Sequence, residues 1–478
     1  MASFSATNFA GLSIPELGAV PFHQTLELYG LTGQISNVEF HLTGLKHSYS
    51  MDLDMLLVGP VAANNLVFWS DVGLQSDPDG DFTVSDNAAN VLPRGGPLLP
   101  GTYKPTDQAI FLLDPREEDG DFGSSTGGTK HAAPAPDAAT FATSFNNIDG
   151  NGTWNYYLRD DRNGNGGSLE AWGLTMQTTT STVQIIGTGG DDLIIARSTG
   201  LTSGFYAMND LATVSYTGVT HMDIFCGAGN DTVYAAAEAD TIYGGDGADL
   251  LNGGMGADLL YGGIGNDIFY VDNTADRVFD TAGAANGNDT VFAAVSYGLA
   301  ADAAIEALAT TAKAGTGAIS LAGNNFAQNI SGNNGANVIV GLGGNDVISG
   351  NGGADKIFGG LGNDTLIGGA GNDGFFFDTK ANATTNHDTI ADFSNASGNN
   401  DTIYLENAVY TTLAAGSLGG AFQSNTAGLA TQADDRIIYE TDTGNLYYDV
   451  NGSAAGGSIL FATLTGHPAI TASDFVVI

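Results

Sequence analysis

Asp231, Asp240, Asp249, Asp258 and Asp267 fall nine residues apart, and Asp346, Asp355, Asp364 and Asp373 keep the same interval later in the chain. Carboxylates at a fixed interval become a cation site if the chain coils so that alternate ones stack. When two such intervals make one coil, stacked residues lie about 4.8 Å apart, the spacing of neighbouring strands. Asp231, Asp249 and Asp267 then line one edge, and Asp240 and Asp258 the other. Two carboxylates about 5 Å apart repel by roughly 3 kcal/mol at an effective dielectric of about 20. A divalent cation between them turns that repulsion into attraction. Calcium suits the donors, because it accepts six to eight oxygens in loose geometry, backbone carbonyls among them. Zinc lacks its His/Cys set here, and magnesium demands a stricter octahedron.

The elements that must position these carboxylates can be read from the intervening residues. Cys226 to Tyr270 divides into CGAGNDTVY, AAAEADTIY, GGDGADLLN, GGMGADLLY and GGIGNDIFY. A second array, Gly332 to Phe376, divides into GNNGANVIV, GLGGNDVIS, GNGGADKIF, GGLGNDTLI and GGAGNDGFF, with Asn337 in the first acidic place. The eighth position is apolar throughout, from Val233 and Ile242 to Leu366 and Phe375. Three residues centred on it make a minimal strand with only that side chain inward. The other six must turn sharply, which glycine allows by adopting positive φ without steric cost. Carbonyls at Gly245, Gly247, Gly254, Gly256, Gly263, Gly265, Gly360, Gly362, Gly369 and Gly371 are expected to complete the metal sites. A glycine-rich linker would not hold an inward apolar residue at fixed phase.

The unit G-G-x-G-x-D-x-U-x resembles the calcium-binding nonapeptide of RTX (repeat-in-toxin, hemolysin-type) proteins. That resemblance implies a right-handed parallel β-roll, several bound Ca²⁺ ions and a secreted protein. GTGGDDLII, Gly187 to Ile195, is one imperfect repeat with Asp192 in the acidic place. Residues 271–331 keep scattered echoes and are expected to be a degenerate, less metal-bound part of the solenoid. Within them AADAAIEALATTAKA could instead form a short helix.

Composition narrows the function further. The 478 residues include 13 basic and 53 acidic side chains, for a formal net charge of −40. Nucleic acid and anionic membrane surfaces are poor partners for such a chain. Its self-repulsion calls for counter-charge, which several calcium ions would supply. Cys226 is the only cysteine, so no intrachain disulfide can form. No apolar run reaches the length of a membrane-spanning helix, so no membrane insertion is expected. The opening residues lack the basic and apolar regions of a Sec signal peptide.

Residues 1–180 have another texture, with short alternating runs and many turn residues. QTLELYG, ISNVEFHL, LDMLLVG, NLVFWS, GTWNYYLRD and LEAWGLTM read as strands, which suggests an antiparallel, jelly-roll-like β-sandwich. The segments LTGQISNVEFHLTGLKHSYSMDLDMLLVGP, NLVFWSDVG, GTYKP and NGTWNYYLRDDRNGNGGSLEAWGLTM resemble the P domain (P/Homo B) that accompanies proprotein convertases and bacterial subtilisin-like proteases. The 114–136 insertion departs from that pattern. The resemblance implies a separate calcium, for which Asp52, Asp54 and Asp71 are candidates, with Asp160 and Asp161 near in the motif. The last two are equally well explained as a turn before Asn163-Gly164.

The nonapeptide fades after 376. HDTIADFSNASGNNDTIYL resembles the roll-closing segment of serralysin-type proteases, and RIIYETDTGNLYYDVNG reads as a hairpin turning at Thr443-Gly444-Asn445. The ending Asp474-Phe475-Val476-Val477-Ile478 resembles the C-terminus of serralysin-type substrates of the type I secretion apparatus, or is simply a last edge strand. The expectation is thus all-β: a sandwich over 1–180, a calcium-binding roll over 181–376 with arrays at 226–270 and 332–376, and a closing segment with a secretion signal over 377–478.

No enzyme is expected. None of the seven histidines forms HExxH, and Gly123-Ser124-Ser125-Thr126-Gly127 lies in a Gly/Ser/Thr loop instead of a strand-to-helix elbow. Three readings follow: a secreted calcium-binding protein whose P-like module binds an extracellular protein or glycan, an accessory to subtilisin-like proteolysis, or a structural matrix or biofilm protein.

Overall fold

A computed structural model describes residues 2–8, 12–14, 22–48, 53–61, 64–70, 78–93, 98–107, 140–160, 166–200, 202–209, 211, 213–280 and 287–478. Nearly every element is a strand. The chain divides into two compact units: Met1–Thr188 with Asp192–Cys226 and Tyr234–Asp240, and Gly189–Asp191 with Gly227–Val233 and Thr241–Ile478.

In the first unit, alternation of apolar and polar residues makes strands with one buried face. Ser3–Asn8, Ala171–Thr178, Ile35–His47 and Asp79–Ser85 pair antiparallel in that order, and Gly101–Lys104 joins Asp79–Ser85 in parallel. A second sheet runs Thr106–Asp107, Asn65–Ser70, Leu53–Val58, Gly152–Asp160, Phe22–Leu28. Aromatic rings join the two sheets: Phe40 meets Phe68 at 4.5 Å between centroids, and Tyr156 meets Trp172 at 5.3 Å. Trp154 buries its ring and donates its indole N–H to the carbonyl of Gly150, which satisfies the one polar atom it carries inside.

The Thr/Ser-rich stretch near 180 is not a free linker. Thr178 is fully buried and its N–H donates to the carbonyl of Ala2. Thr182–Ile186 runs parallel to His221–Ala228, and Ser3–Asn8 pairs with Val214–Thr217. Residues 181–188 and 192–226 therefore belong with the N-terminal strands, and the division falls later than composition suggests.

The second unit is a solenoid with two parallel sheets. On one, Leu250–Asn252, Ile268–Val271, Thr290–Ala293, Ala307–Thr310, Asn329–Ser331, Val347–Ser349, Thr365–Ile367 and Asp388–Ile390 pair in sequence. On the other, Thr241–Asp246, Leu259–Ile264 and Arg277–Phe279 pair, followed by a separate run from Tyr297–Gly298 to Phe475–Val477. The eighth-position side chains stack inward: Leu251, Leu260, Phe269, Ile339, Ile348, Ile357, Leu366 and Phe375 are all 0% exposed. The faces differ in strand length. Several strands of the second face reach six residues, because Gly245 and Gly263, at φ 110° and 112°, stay in register beyond the apolar triplet.

Outward ninth-position rings stack at the same repeat: Tyr243, Tyr261 and Phe279 follow at 4.6 Å steps. The spacing is that of hydrogen-bonded strands, so the ladder is a consequence of the coil. The alanine-rich stretch after 300 forms no helix. It contributes the strand Ala307–Thr310, because Leu308 is needed inward between Val291 and Ile330. Ile437–Glu440 and Asn445–Asp449 form the expected hairpin.

Candidate metal centre

Apart from Asp240, which follows the glycine-free run Ala235–Ala239, each array carboxylate ends a glycine-containing turn and directly precedes a strand, so the coil fixes its backbone. The main-chain N–H of Asp231 donates to Oδ1 of Asp249, 2.8 Å away and 18 residues on. Asp249 does the same to Asp267 at 2.9 Å. In the second array Asp346 donates to Oδ1 of Asp364, and Asp355 to Oδ1 of Asp373, both at 2.8 Å. One oxygen of each carboxylate is thereby occupied.

The other oxygen is not. Oδ2 of Asp249, Asp267, Asp346, Asp355, Asp364 and Asp373 is buried without a hydrogen-bond donor. These side chains are 1–2% exposed. An ionised carboxylate cannot remain in that state unbalanced. Burial, with lesser contributions from neighbouring carboxylates, pushes Asp346 and Asp355 up to about 7, Asp249 to about 7 and Asp267 to about 6. These shifts belong to the metal-free roll: each oxygen needs either a proton or a cation.

The free oxygens share their surroundings with backbone carbonyls. The missing side chain of Gly341 leaves room in which Oδ2 of Asp346 and the carbonyl oxygen of Gly359 meet. Oδ2 of Asp355 and the carbonyl of Gly368 meet likewise beside Gly350, and Oδ2 of Asp249 and the carbonyl of Gly262 beside Gly244. A Cβ would fill each cradle. The donors are hard oxygens, carboxylate and carbonyl, the set that calcium takes. Among the described residues no three His, Cys, Asp or Glu side chains gather into a compact cage. Binding here uses carboxylates supplemented by main chain.

The RTX calcium-binding nonapeptide repeat (four copies) is the family whose pattern matches, over residues 227–260, 256–278, 323–357, 331–366 and 349–378. The roll carries an RTX calcium-binding repeat domain. The module is a calcium-binding one. No curated protein matches the chain. Among solved structures, the complex of the Aeromonas sobria serine protease (ASP) with the chaperone (ORF2) is 13% identical over 36% of this chain and 26% of that one. Its TM-score of 0.17 is too slight to bear on fold or function.

Within the RTX domain, Asp231, Asp249, Asp267, Asp346, Asp355, Asp364 and Asp373 lie in the columns that their spacing predicts. Asp258 donates its N–H to Asp276 at 3.0 Å, and Asp240 accepts the N–H of Met222 on Oδ1. Gly245, Gly247, Gly254, Gly263, Gly265, Gly360, Gly362, Gly369 and Gly371 all have positive φ, as the turns require. Gly256 is not among them, and its carbonyl accepts from the Asn273 amide. Asp192 is held differently: Thr188 and the Asn209 amide supply donors to both of its oxygens. Asp54 is buried on Leu53–Val58, whereas Asp52, Asp71, Asp161, the 114–136 insertion and Gly123–Gly127 lie outside the described residues.

The RTX columns also run further than the nonapeptide. Asp267 donates to Asp289 across 22 residues, Asp364 to Asp388 across 24 and Asp373 to Asp401 across 28. Insertions hide these rungs from a fixed period, although each acid still precedes a Thr-apolar pair in Asp-Thr-Val or Asp-Thr-Ile. The carbonyls of Gly262, Gly359 and Gly368, at the first repeat position, were equally invisible, since sequence alone does not say which carbonyl turns inward. At the start of the second array the columns carry amides. Gln328 donates to Oδ1 of Asn324, and Asn337 to the carbonyl of Ile319. These rungs are satisfied without metal.

Proposed function

We propose that this is a secreted calcium-binding protein whose roll is unfolded at cytosolic calcium and folds on meeting millimolar calcium outside the cell. The observation that carries the reading is the set of buried Oδ2 atoms without donors. Without metal the stacked carboxylates must be neutralised or separated, and short strands rich in glycine bury too little apolar surface to offset their ordering entropy. With metal, each site adds RT ln(1 + [Ca]/Kd). For a Kd near ~0.1 mM, in the extracellular range, that is about 1.4 kcal/mol per site at millimolar calcium. Six such sites would match the stability of an ordinary domain, at about 8 kcal/mol.

Export through a type I apparatus reading the C-terminal segment fits this cycle. Phe475 and Val477 are buried in the folded roll, so that ending is accessible while calcium is low. The N-terminal module, P-domain-like in sequence, is the part assigned to an extracellular protein or glycan. Small-angle X-ray scattering of the full chain tests the folding claim. The radius of gyration should contract on moving from EGTA to 5 mM CaCl₂, ~5 mM being a saturating level for such sites. An unchanged radius would refute it. Removal of the last sixty or so residues should retain the protein inside the cell.

A further inference from the structure

Between the two matched stretches, the solenoid carries an acidic pair that the nonapeptide does not account for. Gly244, Gly262 and Asp280 occupy one position of successive coils, so Asp280 stands where the preceding coils have glycine. In those coils the absent side chain leaves room for Oδ2 of Asp249 and of Asp267. At 280 a side chain with a carboxylate stands at that position instead. Its Oδ1 accepts the N–H of Gly263 at 3.3 Å. Asp289, the rung beyond Asp267, uses Oδ1 for the N–H of Asp267 at 2.7 Å.

The side chains of Asp280 and Asp289 meet. They are 4% and 1% exposed, and Oδ2 of each is buried without a donor. Two carboxylates that meet at buried oxygens cannot both stay ionised alone, so a shared proton or a cation must lie between them. Glu306 adds a third negative charge from the next coil, its Oε2 accepting the N–H of Asp289 at 2.8 Å. We infer that Asp280 and Asp289 hold a further calcium-class cation outside the nonapeptides, with Glu306 as a positioning residue. An all-oxygen, multiply anionic donor set selects a hard divalent ion. The region expected from sequence to be poor in metal thus has a site of its own, joining the end of the first array to the coil that follows. The inference rests on the calcium-loaded roll proposed above only for the identity of the ion.

Calcium stoichiometry of the full chain, measured by native mass spectrometry in millimolar calcium, tests it. Asp280→Asn keeps an acceptor for Gly263 and should bind one ion fewer than the wild type. Asp302→Asn, an exposed charge on the neighbouring coil, should leave the count unchanged. An unaltered count in a folded Asp280→Asn protein overturns the proposal and leaves a shared proton as the link between the pair. Should Asp280→Asn not fold, Glu306→Gln serves in its place: one site should weaken by roughly tenfold through loss of nearby charge. A wild-type binding isotherm for that variant overturns the proposal. A wild type that binds no calcium at all would instead refute the calcium-loaded roll itself.

Discussion

The main-chain N–H of Asp231 donates to one oxygen of Asp249 at 2.8 Å, while the other oxygen of Asp249 is buried without a donor. The first contact stacks the coils, and the second leaves each coil short of a positive charge. Structure and cation affinity therefore reside in the same side chain and can be separated by substitution.

Asp249→Asn retains an acceptor for Asp231 but removes the charge. The calcium midpoint for folding should rise several-fold, with the metal-saturated fold intact. Asp79→Asn, on an exposed side chain that lies 3.9 Å from Lys46, should leave the midpoint where it is. Intrinsic fluorescence titrated with CaCl₂ reads both.

Acid should substitute in part for calcium. Asp249, Asp346 and Asp355 are raised from 3.8 to about 7 in the metal-free fold, chiefly by burial. In that fold they keep protons that the unfolded chain loses above pH 3.8. Their contribution to stability is therefore full below 3.8 and is lost as pH rises through about 7. In EGTA the roll should be more ordered at pH 5 than at pH 8, and calcium binding at pH 5, where the ordered roll holds these protons, should release them. Circular dichroism in EGTA across that range checks the first point, and calorimetry in buffers of different ionisation enthalpy the second. Equal order at both pH values would contradict the assignment.

Gly362 has φ 138°, and a Cβ there would overlap the carbonyl oxygen of Gly344 in the preceding coil. Gly362→Ala should cost roughly 3 kcal/mol or more, the range for forced positive φ combined with backbone overlap. Gly317→Ala, with open space around the added carbon, should stay within about 0.5 kcal/mol. Urea melts in saturating calcium distinguish the two.

Leu342 takes the second repeat position at φ 75° and is half exposed. A leucine there carries a left-handed penalty that its side chain does little to offset. Leu342→Gly should raise stability in saturating calcium by about 1 kcal/mol. A loss of stability would mean that the side chain has a packing role.

Much of the roll was legible because its coil length is constant: the nine-residue interval alone places Asp231 above Asp249 and turns Leu251 and Ile348 inward. Legibility ends where the period does. Asp289, Asp388 and Asp401 follow insertions of unequal length, so counting could not align them, although the strands after them restore the stack. Asp280 escapes the sequence pattern because an acid in a glycine place reads as decay of the repeat. The border expected near 180 differs from the observed division for another reason. Composition changes there, but strand pairing does not, since Ser3–Asn8 pairs with Val214–Thr217.

The central claim, that calcium folds the roll, is tested most directly by amide hydrogen exchange on the full chain at pH 7.5. The N–H groups of Asp231, Asp249, Asp346 and Asp355 each donate to a carboxylate one coil away. In millimolar calcium, peptides containing these amides should be protected; in EGTA they should exchange at the rate of unfolded chain, while peptides from Ile35–His47 and Ala171–Thr178 stay protected in both. Protection of the four amides in EGTA equal to that in calcium would show that the roll folds without the metal.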